Sequence, residues 1–198
     1  FVLPGFWWLG FLGILTFFAC LHQATTIKQA ALYGWVMATP ASDWSLVWFW
    51  SVLPIDWIPV GSIWVQGLVV ALYWGTAALW LGARGLFVGG LGWWLLRQYP
   101  RSWWWSVPTV WVAGESMGAL VFALMTWQAG IPLTAHFSFG FVGYLLAQHT
   151  WLFHIAAVAG VYGLSWMMVC IGGALYVGLV SSWWRWVLGA VMVLGVLQ

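Results

Sequence analysis

The chain has 198 residues, 65% of them hydrophobic and 4% charged, with a formal net charge of +2 and a mean hydropathy of +0.98. Five Lys/Arg and three Asp/Glu cannot clothe a water-soluble body of this size, since an average soluble domain carries roughly 25% charged residues. Composition therefore excludes a basic nucleic-acid surface and leaves no length for a sizeable soluble domain. It specifies an all-α, polytopic transmembrane bundle of about six spans over residues 1–198.

In chain order, apolar runs place spans near 2–21, 30–50, 63–83, 103–126, 151–180 and 183–197. The first starts at Phe1 without the charged n-region or cleavage site of a signal peptide, and the last runs to Gln198, so both ends read as cut from a longer protein. Cys20 and Cys170 lie in apolar stretches and read as small hydrophobes; without a CxxC they indicate neither a disulfide framework nor a metal site. Asp43, after Pro40, reads as the cap of a restarted helix or as part of a polar cavity. Asp56, between Pro54 and Pro59, reads as a solvated turn. The stretch 85–96, "GLFVGGLGWWLL", either extends the third span or lies at the interface; the interface is preferred, because otherwise Arg84 would enter hydrocarbon.

With that layout Lys28, Arg84, Arg97, Arg101 and Arg185 all fall on one side, which the positive-inside rule makes cytoplasmic. The opposite, outer side then carries 51–62 and the long stretch 127–150. The latter, with its aromatics, His136, His149 and Gln148, reads as an amphipathic segment resting in the outer interface and suited to holding a lipid. The tryptophan clusters at 103–105 and around Arg185 read as headgroup-level anchors.

Glu115, in "PTVWVAGESMGAL", is the acidic residue deepest in an apolar run. It reads either as functional, facing protein or a watery cleft, or as an interhelical hydrogen-bonding group. In "AGVYGLSW", Gly160 and Gly163 read as a helix-packing face and Ser165 as a hydrogen-bonding partner for its own helix or a neighbour. The histidine spacings match no metal signature, and no GxSxG, HExxH, P-loop or kinase motif occurs, so no catalytic residue, metal ligand or cofactor is assigned.

Taken together, "ALYGWVMATPASDWSLVW", "PTVWVAGESMGAL", "GIP" and "FVGYLLAQHTWLFHIAAVAGVYGLSWMMV" resemble the membrane domain of bacterial apolipoprotein N-acyltransferase. The resemblance covers most of 28–198 and is most specific over 139–166. It implies a multi-pass protein of the bacterial cytoplasmic (inner) membrane. Its partners would be a membrane phospholipid and a diacylglyceryl-modified apolipoprotein, with Glu115, Tyr144 and His149 in substrate contact. In that family a Glu-Lys-Cys triad on a nitrilase-like outer domain forms a Cys thioester with the acyl chain and passes it to an α-amine, splitting one hard transfer into two easier ones. No position of this chain matches that triad, so the membrane domain would anchor and orient the reaction. The family usually has an Arg three residues after the Glu, where this chain has Gly118, and the residue after its Gly-x-Pro turn is Leu133 in place of Trp. Two other readings stand beside this one: a non-catalytic membrane scaffold for a separate enzyme such as a polyprenol-phosphate glycosyltransferase, and a small transporter.

Overall fold

The computed structural model describes residues 8–57, 61–127, 140–146 and 153–180. Within them the chain is helical: α1 Leu9–Gln23, α2 Ile27–Ser45, α3 Ile63–Gly82, α4 Arg84–Gln98, α5 Trp103–Met125 and α6 Phe153–Val180, with 3-10 turns at Val47–Val52 and Val142–Leu146. No strand occurs among the described residues. Where lipid is the solvent a helix satisfies its own backbone, so long apolar runs have little other choice. The helices leave much apolar surface outward, with Trp64 86% and Val158 91% exposed, a face that only lipid or another apolar body could cover.

Three helical stretches are long and apolar enough to cross a bilayer: 63–98, Trp103–Met125 and His154–Val180. The described part of the expected first span is the apolar helix α1, of 15 residues, and the beginning of that span lies outside the described residues. The six expected spans thus reduce to three among the described residues, and the expected sixth, 183–197, lies outside them.

The stretch 85–96 is a continuation of the third helix and not a separate segment. After a single turn residue, Ala83, α4 continues α3, making one element of 36 residues, Ile63–Gln98. Its partner along this length is α2, running antiparallel: Trp74 Nε1 donates to the Asp43 carbonyl (2.9 Å), and Gly82 lies against Thr39, Gly85 against Gly34 and Gly89 against Ala30. The approach is close because side chains are missing at the seam; a Cβ on Gly85 would lie 2.5 Å from the Gly34 carbonyl carbon. Gly85 and Gly89 form the small-xxx-small spacing by which membrane helices bring their backbones together.

At the loop between α1 and α2, Thr26 caps α2 by accepting from Gln29 N–H (3.2 Å). The Ala24 carbonyl at the end of α1 accepts from Trp93 Nε1 (2.8 Å) and Arg97 Nη2 (3.2 Å), tying this loop to α4. Lys28, Arg97 and Arg101 are exposed at this end of the bundle, and Asp56 is exposed at the other. The α2 helix runs through Pro40 without restarting, so Asp43 sits inside the helix and caps nothing.

The core has two parts. Ile14, Phe17, Phe18 and Leu21 of α1 meet Val88, Val107, Leu164, Met168 and Val169, with α1 parallel to α6. A second cluster toward the Asp56 end joins Leu46, Phe49, Ile55, Val70, Ala77, Leu81 and Phe122.

Candidate functional site

The 140–146 segment between α5 and α6 turns into the bundle, with Phe141, Gly143 and Leu146 buried. The entry and the first amides of the 3-10 turn Val142–Leu146 have no partner within the turn, and at this depth their polar groups must find partners in protein or water. Here side chains from three helices supply them. Val142 N–H donates to Glu115 Oε1 (2.9 Å), Gly143 N–H donates to Ser165 Oγ (2.9 Å), and Arg84 Nη2 donates to the Gly140 carbonyl (3.0 Å). Two consecutive amides and the carbonyl two residues before the first of them are thus held by Glu115 of α5, Ser165 of α6 and Arg84 of α4.

Each participant is placed for a physical reason. Glu115 is 3% exposed and Ser165 0%; groups so buried must be hydrogen-bonded or they oppose folding. Trp111, one turn before Glu115, donates Nε1 to the same Oε1 (3.0 Å) while its ring packs edge-on against Phe17 (5.1 Å). Glu115 Oε2 is buried and accepts no hydrogen bond among the described residues. Arg84 lies across Gly118: a Cβ there would sit 2.8 Å from Arg84 Cδ and 3.3 Å from its guanidinium. Gly118 thereby leaves the space that the long side chain of Arg84 fills from another helix.

Glycines shape the path of the segment. Gly140 has φ 68° and Gly160 φ 62°, values that L side chains rarely adopt. Gly143 has no room for a side chain, since a Cβ would meet the Val161 carbonyl oxygen at 2.5 Å and Ser165 N at 2.8 Å. At Gly160 (φ 62°, ψ −168°) helix α6 breaks into two pieces.

The expected site residues fall as follows. Glu115 and Ser165 come together around one segment. Tyr144 lies on that segment, two residues beyond the amide held by Glu115, and is 41% exposed, turned outward. His149 lies outside the described residues, as do His136 and most of 127–150; the described part of that stretch that turns inward, 140–146, is packed into the bundle. Gly160 and Gly163 do not form the packing face expected of them. Gly160 has open space around it and is needed for its backbone angle, while Gly163 makes room for the Ala159 side chain at the break. Ser165 accepts from the incoming segment at Gly143 N–H, and its hydroxyl also reaches Glu115 of the neighbouring α5.

Arg84 was missed as a site residue because a lone arginine between apolar runs reads as a loop marker. The signal against that reading was the glycine spacing that follows it, which implies a buried helix face from Gly85 onward. No group of three or more His, Cys, Asp or Glu that could hold a metal occurs among the described residues. Cys170 donates Sγ to the Trp104 carbonyl (3.2 Å), a contact between α5 and α6.

No family model, no curated protein and no solved structure matches this chain. What the centre can do follows from its geometry alone. It fixes a short re-entrant segment at the depth of a buried carboxyl and guanidinium, and presents Tyr144 from it.

Proposed function

We propose that this chain is the membrane domain of an apolipoprotein N-acyltransferase-like protein, anchoring and orienting acyl transfer from a phospholipid to a diacylglyceryl-modified apolipoprotein. The observation that carries this reading is that Glu115, from one stretch of the resemblance, meets Gly143 and Ser165, 22 residues apart in another, in one hydrogen-bonded centre. A second supports it: the guanidinium that the family has three residues after its Glu is offered here by Arg84, lying over Gly118. In this reading the bundle end bearing Lys28, Arg97 and Arg101 faces the cytoplasm of a bacterium. The 127–150 stretch faces outward, where the lipid substrates are met. The acyl-transferring nucleophile belongs to a domain that this chain does not contain, and the centre's task is to hold Tyr144 and its neighbours rigidly for substrate.

The test is acylation of a diacylglyceryl-cysteine peptide by the full-length parent in phospholipid vesicles, with the N-acyl product followed by mass spectrometry. The parent makes product and the isolated 198-residue chain makes none. Arg84→Ala lowers the rate, and Gly118→Arg added to Arg84→Ala restores it, because the guanidinium returns to the same space. A parent that forms no product would refute the proposal; product from the isolated chain would refute the assignment of chemistry elsewhere.

The break of α6 at Gly160, five residues before the Ser165 that joins the Glu115 centre, also favours a second reading, a small transporter, since broken helices around polar groups at membrane depth make substrate sites in such proteins. Solute flux in proteoliposomes that disappears in Glu115→Gln would decide for it.

A further inference from the structure

Toward the Asp56 end, away from the Glu115 centre, a crevice of about 380 Å³ opens between the 3-10 turn Val47–Val52, α3 and the last turn of α5. Its floor is Phe49, Ile55, Val70 and Phe122, each buried. The wall is built, since Ile55 N–H donates to Oε1 of the buried Gln66 (2.9 Å), fastening the turn after the 3-10 segment to α3. The Phe49 and Tyr73 rings, both lining the crevice, stack on one another at 5.6 Å.

We propose that this crevice holds one acyl chain of a bilayer lipid, with the headgroup left outside at its rim. Three observations commit it to this occupant. None of the lining residues is charged, and the Thr126 hydroxyl is already spent on the Phe122 carbonyl (2.9 Å), so an ionic or sugar-like ligand would bury polar groups without partners. The mouth is continuous with the lipid-facing surface of α3, because the lining residues Val69 and Tyr73 are exposed beside Leu68 and Leu72. The rim carries Trp57, 77% exposed, and Tyr73, side chains with an apolar body and a polar tip that suit the boundary between chain and headgroup. The volume lies at the lower end of the range for small-molecule sites, roughly 300–1,000 Å³, as a single flexible chain requires. The inference needs only that the chain lies in a bilayer. It stands apart from the acyl-transfer reading, whose assay follows a different product.

The experiment uses the whole chain in nanodiscs of dioleoylphosphatidylcholine doped with a phosphatidylcholine carrying a diazirine at the end of one acyl chain. After irradiation, adducts are mapped by mass spectrometry. Labelling is expected on the floor residues Phe49 and Val70, which lipid at the outer surface does not reach, as well as on the exposed Leu68 and Leu72. Filling the mouth with Val69→Trp lowers floor labelling about ten-fold, with labelling of Leu72 unchanged; Val52→Trp, filling from the opposite wall, does the same if the first variant folds poorly. Adducts confined to exposed residues, or floor labelling that neither plug reduces, would overturn the proposal. So would floor residues cross-linked to a second copy or another part of the chain in place of lipid.

Discussion

At Val142 and Gly143 the first two amides of a 3-10 turn are satisfied by two side chains, one from each neighbouring helix. Removing either acceptor leaves a buried amide unpaired, which costs about 1–3 kcal/mol. Glu115→Ala and Ser165→Ala should each lower stability by that amount, measured by unfolding in detergent micelles. Glu115→Gln should cost less, because its amide oxygen can still receive Val142 N–H. The double variant Glu115→Ala/Ser165→Ala should cost less than the sum, since a segment released at one amide has less to lose at the next; strict additivity would show that the two bonds do not restrain a common unit. Gly143→Ala, with a Cβ 2.5 Å from the Val161 carbonyl oxygen, should be destabilising by about 1–3 kcal/mol. The glycines and serine of "AGVYGLSW" were legible as an unusual cluster, but not their separate duties. A one-dimensional pattern of small residues does not distinguish a close-packed face, a positive φ and room for a neighbouring side chain.

At the scale of the helix, the seam of α2 with α3 and α4 makes a contrast between glycines that look alike in sequence. Gly85 is pressed on Gly34, whereas Gly75 has nothing within 4 Å of a built Cβ. Gly85→Ala should therefore lower stability by about 1–3 kcal/mol through forced separation of the helices. Gly75→Ala, on the same continuous element, should raise it by about 0.4–1 kcal/mol by restricting the unfolded chain. Equal effects in thermal unfolding would contradict a tight α2–α4 seam. The helical runs themselves were legible, and α3, α5 and α6 start within a few residues of the expected spans. The union of α3 with α4 was not, because a charge at 84 argued for a boundary. The cost of placing a cation in a membrane protein depends on its partners, and the Gly140 carbonyl and Glu115 come from positions 56 and 31 residues further along the chain.

Among the described residues exposed charge is segregated by end, with Lys28, Arg97 and Arg101 at one and Asp56 at the other, while Arg84 points into the protein. At 1.5 Å per residue Arg84 lies about 21 Å along its helix from Gln98. In a variant with Cys20 and Cys170 replaced by alanine, single reporters Arg101→Cys and Asp56→Cys should react with a membrane-impermeant maleimide from opposite faces of a vesicle, and Arg84→Cys from neither. Labelling of the first two from the same face would break the continuous Ile63–Gln98 element that holds the two ends apart.

The sequence by itself determined the solvent and the class of fold. With so few charges the outside must be apolar, and in lipid the backbone must bond within each segment, so helices follow from composition and run length alone. It also determined that Glu115 would need company, since a carboxyl in an apolar run cannot stand alone. Which company it keeps, and that the company includes the amide of a loop, only the tertiary structure decided. The partners of a buried polar group are chosen by helix packing across long sequence separations, and no local period records that choice.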